Sequence, residues 1–544
     1  MITVKPDKWD HVVDVVVVGS GGAALVAATL AHDGGAKVLV VEKADMLGGT
    51  TAVSGGVMWL PNNHLMPAAG IADSRDDAIA YVTRLANGHE HDPALIETFV
   101  DTAPEVLAYL EAHTPLRMAV VPNFPDYYFA YDVPGKKHGG RSIEPVPYAV
   151  GTELPEWRDK LVTRGTLMSL GAVTTLGEDF SAPDDALRAE LARREAEDVR
   201  TKGAALIAML FRGLLDRGVE VMLGTAAREL VMVDGEVCGV RCEQSSTERL
   251  IGARKGVVLA CGGFEWNREM VNAFIGYDVK PLSPPNNVGD GLVMAMEAGG
   301  QIANMNSYWG QPAMFDPGVT RNGEMVPQFE WARGEPGSLI VNRHGVRFAN
   351  ESLPYNDFPK TFGRYDPTNV QFPNEAPAWM IFDQRTKQSV RIMSMMPDDP
   401  APDWIPQADT VRGLAEKIGV DAATLEATVA RFDEYAARGD DPDFLRTRQG
   451  LMAPGRVRPL EAPYYAVSIF PGALGTNGGP RLDRDARVRA YRGGVVPGLY
   501  AAGNTAASAY GWAYPGGGGT IGQGAVFGYR AGRHVAAQPS RAID

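Results

Sequence analysis

Val12-Val13-Asp14-Val15-Val16-Val17-Val18-Gly19-Ser20-Gly21-Gly22-Ala23-Ala24 is a β-branched run, broken only by Asp14, that empties into a glycine-rich turn. A nearly continuous apolar run reads as a strand buried on both faces. The small residues from Ala23 to His32 then read as a helix ended by Asp33-Gly34-Gly35, and a second β-run, Lys37 to Val41, closes on Glu42. Strand, glycine turn, helix, strand and acid in this order predict a dinucleotide site. Gly19 permits the tight turn, Gly21 lets backbone approach a pyrophosphate, and Ala24 takes the small position where helix meets strand. Ser20, Gly22 and Ala23 complete the turn at a helix N-terminus, whose amides and dipole favour phosphate. Glu42 lies 23 residues after Gly19, placed to accept hydrogen bonds from a ribose.

The acid alone does not separate NAD from FAD; the residues after it do. Glu42-Lys43 leads to Gly48-Gly49-Thr50-Thr51 and then to Ser54-Gly55-Gly56. This second glycine cluster suits a chain that follows the pyrophosphate toward a flavin, with Thr50, Thr51 and Ser54 as hydroxyl donors. No His stands in this segment to tether the ring, so non-covalent FAD is expected. Farther on, the pattern returns in pieces. A helix over Ala204 to Leu215, a strand over Val219 to Leu223, and a hairpin turning at Asp234-Gly235 precede a buried strand that ends at Gly262-Gly263. A last short strand leads to Gly503-Asn504. Beyond it comes Tyr514-Pro515-Gly516-Gly517-Gly518-Gly519-Thr520-Ile521, where a helix from Thr520 to Arg533 begins at the glycines. Four consecutive glycines cost conformational entropy and supply no packing, so they belong where a flat ligand lies against bare amides. The fold class expected is α/β. A discontinuous Rossmann-like FAD-binding domain (1–289 and 478–544) carries an inserted α+β capping domain (290–477).

The 544 residues are 45% hydrophobic and 22% charged, ample for two or three domains. A net charge of -14 with no basic block argues against nucleic acid as partner. Cys238, Cys242 and Cys261 are too few and too oddly numbered for a disulfide framework, and they fit a reducing cytoplasm as packed thiols. No run is long enough to span a bilayer, and no residue cluster spells a metal site. The charged stretch 151–200 reads as a solvated arm, with a helix over Asp184 to Asp198.

Four segments carry a resemblance over nearly the whole chain. They are GSGGAA with EKADMLGGTTAVSGG, NFPDYYFAYDVPGKKHGGRSIEPVPY, EPGSLIVNRHGVRFANESLPY, and GLYAAGNTAASAYGWAYPGGGGTIGQGAVFGY. The sequence resembles the succinate dehydrogenase/fumarate reductase flavoproteins and, among them, the 3-ketosteroid Δ1-dehydrogenases. One position separates the two. Fumarate reductases carry a proton-donating Arg four residues past the Glu of the Arg-Phe-x-Asn-Glu segment, where this chain has Tyr355 after Glu351. The resemblance implies that Tyr355 is the base that removes the proton next to a ketone. It further implies that Tyr127, in a Phe-x-x-Tyr spacing with Phe124, hydrogen-bonds that base and lowers its pKa, with the neighbouring Tyr128 as the competing register. Tyr514 and the Gly518 amide would hold the substrate carbonyl oxygen, Phe124 would line the pocket, and Trp331 is either pocket wall or core. The family often has Ala or a second Pro among these glycines; the all-glycine run here leaves the Gly518 position looser. Hydride would pass to flavin N5 and electrons onward to an external acceptor, as no iron–sulfur cysteine spacing is present. The activity so implied is desaturation of a 3-ketosteroid. A smaller cyclic ketone, a fumarate-type reduction of an enoate, or a non-catalytic flavin electron carrier are the alternatives.

Overall fold

The computed structural model describes residues 1–3, 6–162, 173–178, 184–321 and 324–543. Strand His11–Val18 lies at the centre of one sheet, parallel to Val38–Val41 on one side and to Thr247–Leu259 on the other. The sheet continues through Glu220–Met222 beyond Val38–Val41, and through Val495–Ala501 and Arg487–Arg489 beyond Thr247–Leu259. Segments nearly 500 residues apart in sequence thus share one parallel core, which is the α/β class read from the sequence. Asp14 breaks the apolar run for a structural reason. Its carboxylate accepts from the Lys37 amide at 2.8 Å, at the point where the register with Thr247–Leu259 shifts.

Helix Gly22–Asp33 is buried along most of its length beneath the C-terminal helix Gly519–Ala536. Three glycines spaced four apart make that approach. A Cβ on Gly528 would fall 2.5 Å from the Ala23 carbonyl oxygen, one on Gly532 2.4 Å from that of Ala27, and one on Gly524 3.3 Å from the Ala23 Cβ. Backbone therefore touches backbone, and the two helix N-termini open on the same side of the sheet. The expected hairpin is present as Thr225–Val233 and Glu236–Gln244, and the expected helix over Ala204 to Leu215 as Lys202–Asp216.

A second sheet is built from residues between 280 and 476. Its spine is Tyr308–Arg321, Tyr464–Thr476, Ala378–Asp383 and Ser338–Val341, with Glu324–Phe329 at the edge. Lys280–Pro281 already pairs with this sheet, ahead of the expected division at 290. The charged stretch 151–200 lies partly outside the described residues; within them it forms the helix Asp185–Ala196, with ion pairs such as Arg193–Glu190 on its exposed face. Cys238 and Cys242 are buried. Among the described residues no helix is long and apolar enough to cross a membrane, and no group of His, Cys, Asp or Glu is placed to hold a metal ion.

Candidate active site

One cavity of about 340 Å³ runs from the first glycine turn to a cluster of three tyrosines. At its first end, Gly19 adopts φ +105°, and a Cβ there would fall 2.4 Å from the Ala260 carbonyl oxygen. Gly21, by contrast, has nothing nearer than 3.6 Å, so its backbone is open to a ligand. Glu42 is held in place by the Ser20 hydroxyl at 2.7 Å and the Ala44 amide at 2.9 Å. Lys43 reaches across to Asp290 at 2.5 Å. The Thr51 hydroxyl accepts from the Gly22 amide at 3.1 Å, and the Thr50 hydroxyl accepts from the Asn287 side chain at 3.0 Å. Gly49, Ser54, Gly55, Gly56 and Gly262 line the same cavity, as do Gly503, Asn504, Thr520 and Ile521 from the C-terminal piece. A long, glycine-floored slot with an acid at the strand end and a helix N-terminus at each phosphate-facing turn fits FAD in shape and donor set.

Three of the expected cofactor residues lie outside that lining. Ala24 is fully buried in the helix–sheet core. Gly48 adopts φ +109°, a Cβ there would meet Ala52 at 2.7 Å, and its amide donates to the Ser20 hydroxyl. Gly263 sits under Thr476, whose hydroxyl would be 2.2 Å from a Cβ. These are packing positions one layer behind the slot. The sequence reading did not single out Asn287 and Asp290, which line the slot from the connection between the two sheets; their signal is pairing with Thr50 and Lys43, and only the folded chain shows it.

At the other end the Tyr127 hydroxyl donates to the Tyr355 hydroxyl at 2.8 Å. The rings of Tyr127 and Tyr355 lie 5.2 Å apart, and Tyr514 completes a triangle at 5.8 Å and 5.6 Å from them. Register is resolved by the neighbour: the Tyr128 hydroxyl points away, to Asp357 at 2.5 Å. Phe124 packs on Tyr127 at 6.2 Å. Trp331 is half-exposed, stacks on Phe329 and stands 6.3 Å from Tyr355, which makes it a wall of the mouth rather than a core residue. Burial pushes Tyr355 well above the ordinary phenol range, and the neighbouring phenols of Tyr127 and Tyr514 add to that; burial raises Tyr127 too. The expected lowering of the base by its Tyr127 hydrogen bond is therefore not met in this state. Loss of water disfavours the phenolate, and both neighbouring phenols push the same way.

The tyrosines come from three distant segments, and each junction is clamped close to one of them. Tyr128 and Asp357 tie the first two segments together. The Asn356 side chain donates to the Trp512 carbonyl at 3.3 Å and ties the second to the third. The Pro515 carbonyl accepts from the Tyr81 hydroxyl at 2.7 Å and from the Tyr127 amide at 3.3 Å, which ties the third to the first. Upstream, Glu351 is fully buried between Arg347 and Arg446. Burial alone would raise its carboxyl, but the two guanidiniums hold it below its usual value, so the turn that carries Tyr355 is anchored by charge.

The glycine run is tight, not loose. A Cβ on Gly516 would meet Trp59 at 2.4 Å, one on Gly517 Phe124 at 2.6 Å, and one on Gly518 the Val57 carbonyl oxygen at 2.3 Å. Gly518 also needs φ +91°, as the residue that precedes helix Gly519–Ala536. Its carbonyl accepts from the Trp59 amide at 3.1 Å, while its own N–H has no acceptor among the described residues and borders the cavity beside Tyr514.

A flavin-shaped slot that ends at a hydroxyl cluster defines a redox enzyme of the FAD-binding α/β class. A family described as "FAD binding domain" matches residues 14–521. The chain is 37% identical to 4-oxocyclohexanecarboxylate 2-dehydrogenase of Sinomonas cyclohexanicum, covering 96% of this chain and 93% of that one. It is 36% identical to 3-oxosteroid 1-dehydrogenase of Mycobacterium tuberculosis, over 97% and 99% of the two chains. The crystal structure of 3-ketosteroid Δ1-dehydrogenase from Sterolibacterium denitrificans in complex with 1,4-androstadiene-3,17-dione superposes with a TM-score of 0.87 at 32% identity, covering 97% of this chain and all of that one. The chain belongs to the FAD binding domain family and is an FAD-dependent oxidoreductase of the 3-oxosteroid 1-dehydrogenase type.

Proposed function

We propose that this enzyme desaturates the C–C bond next to the ketone of a neutral cyclic substrate, with a 3-ketosteroid as the preferred class. The observation that carries the reading is the hydrogen-bonded Tyr127–Tyr355 pair, which faces Tyr514 and the unpartnered Gly518 amide across one cavity. Tyr514 and the Gly518 N–H polarise the carbonyl oxygen, and donors of this kind contribute on the order of 10²-fold each in rate. That polarisation acidifies the adjacent C–H, and Tyr355, once ionised to the phenolate, accepts the proton. Before that, Tyr355 gives up its own proton, for which Tyr127 offers a route outward, and the Tyr127 hydroxyl steadies the phenolate that remains. FAD, held without a covalent link along the slot from Gly21 to Thr520, supplies the hydride acceptor when bound. Its electrons then leave to an external acceptor.

Charge favours a neutral substrate over a carboxylate such as that of the Sinomonas relative. Among the described residues that line the cavity, the one cation is Lys43, and Asp290 already pairs with it at the far end. A carboxylate beside the tyrosines would be desolvated without a partner.

Anaerobic mixing of the holoenzyme with a panel of 3-ketosteroids and cyclohexanones tests the reading: a ketosteroid bleaches the flavin, and Tyr355→Phe abolishes bleaching while FAD stays bound. Because Tyr355 is neutral at rest, the reduction rate climbs with pH between about 7 and 9, approaching tenfold per unit. Equal bleaching by Tyr355→Phe would remove the base from the scheme; bleaching by 4-oxocyclohexanecarboxylate alone would remove the steroid.

A further inference from the structure

Gln311 stands apart from the rest of the substrate wall. It lines the cavity on strand Tyr308–Arg321, whose next residue on the same face, Ala313, packs with Val53 and Leu282. The walls around it, Leu282, Phe329, Trp331 and Leu474, are apolar. Its side chain is fully buried. Its Nε2 donates to the Glu330 carbonyl at 3.1 Å. A carbonyl can only accept, so this bond fixes which end of the amide is which. The Oε1 is left buried with no donor among the described residues. A buried acceptor without a donor carries a desolvation cost that a bound donor would relieve.

We propose that Gln311 is a specificity residue that accepts a hydrogen bond from a hydroxyl on the substrate, so that the enzyme selects hydroxylated cyclic ketones over their deoxy and oxo counterparts. The inference rests on the ketone-desaturase reading above. Orientation gives it direction. Oε1 accepts and cannot donate, so a hydroxyl satisfies it, whereas an oxo group at the same place sets two acceptors against each other and a bare C–H leaves the amide unpaired. In a wall otherwise made of hydrocarbon, one such contact discriminates because the unpaired group is penalised on both sides. The carbonyl being polarised has its own donors in Tyr514 and Gly518, so the Gln311 acceptor is free for a second group on the substrate.

The test is equilibrium binding to the Tyr355→Phe holoenzyme, read from the perturbation of the flavin spectrum, so that turnover does not intervene. The probes are testosterone, 4-androstene-3,17-dione and 4-androsten-3-one, with 4-(hydroxymethyl)cyclohexanone and 4-methylcyclohexanone as the small pair. The expected result is that, within one size class, the hydroxylated ketone binds about 10-fold more tightly than its deoxy or oxo twin. Adding Gln311→Leu removes that preference by weakening the hydroxylated ligand and sparing the deoxy one, and Gln311→Glu restores part of it. Equal binding of the twins to the Gln311 protein would overturn the proposal, as would a preference that survives Gln311→Leu. So would a Gln311→Leu protein with altered FAD affinity and unchanged ketone preference, which would assign the acceptor to the cofactor. Binding of the twins without flavin bleaching in the Tyr355 enzyme would sink the desaturase reading alone. If no ketone perturbs the spectrum, both fall.

Discussion

Replacing Gly517 with Ala isolates what the glycine run does. The backbone there is not in the left-handed region, so alanine is conformationally permitted; only space opposes it. The new methyl would lie 2.6 Å from Phe124 Cε1 and 3.1 Å from the Tyr127 hydroxyl. Carbon atoms in contact sit near 3.5–4.0 Å, so Phe124 must retreat by about 1 Å. Phe124 packs on Tyr127, and the Tyr127 hydroxyl bonds Tyr355. Overpacking of this size costs about 1–3 kcal/mol. If that strain is taken up by the Tyr127–Tyr355 hydrogen bond and the Gly518 amide, flavin reduction slows by about 5- to 150-fold. Stopped-flow reduction under anaerobic conditions reads the rate, and the flavin spectrum confirms that FAD is retained. Shortening the clashing ring with Phe124→Leu in the Gly517→Ala background should recover much of the loss. A Gly517→Ala enzyme with the parent rate would refute the idea that these glycines are set by the packing of Phe124 and Tyr127. A loss that Phe124→Leu leaves untouched would refute the route through the ring.

Asp357→Ala, which removes the acceptor of the half-buried Tyr128 hydroxyl, should lower kcat about 10-fold with KM changed less than about 3-fold, and Asp357→Asn should recover most of it; steady-state kinetics separates this from general loss of fold. His91 is held neutral, with burial and then Arg481 lowering it from 6.5 to about 4. The unfolded chain therefore binds this proton more readily than the folded one between those values, so stability is fully present above pH 6.5 and is lost as pH falls toward 4. The loss is about 3 kcal/mol, and His91→Asn should flatten the thermal unfolding profile across that window.

The nucleotide-binding half was legible because its signals are local. A β-branched run, a turn whose glycines must take special conformations, and an acid at the next strand end all fall between His11 and Glu42. Tyr355 and Tyr514 stand out in the sequence only through the family resemblance, each inside a distinctive short motif, and the fold brings their rings to 5.6 Å. Tyr127 was ambiguous with Tyr128, and no local rule could decide between them; the deciding partner, Asp357, lies 229 residues on. The same limit applies to the two expected cofactor glycines that lie outside the cavity lining. Gly48 and Gly263 have glycine's reasons, a left-handed turn and a hydroxyl pressed against the backbone, but the neighbours that impose those reasons are Ala52, Ile207 and Thr476. A glycine beside a ligand and a glycine beside a buried side chain look alike in sequence.

That ambiguity bears on the glycine run itself. Read alone, four glycines suggest a flexible ribbon, and the absence of Ala or Pro suggests a poorly fixed oxyanion donor. Trp59 fills the space a Gly516 side chain would need, Phe124 that of Gly517, and the Val57 backbone that of Gly518. Trp59 is itself fixed by its indole N–H, which donates to the buried Asp126 at 2.8 Å, and Asp126 is bound by Arg141. Rigidity at the Gly518 amide is thus supplied from outside the run, by an aromatic wall whose anchor is the residue immediately before Tyr127. The segment that brings the partner of the proposed base also braces the proposed donor to the carbonyl. A substitution at Asp126 would therefore disturb both halves of the chemistry at once, whereas stiffening the run with an alanine would drive a methyl into the wall that already holds it.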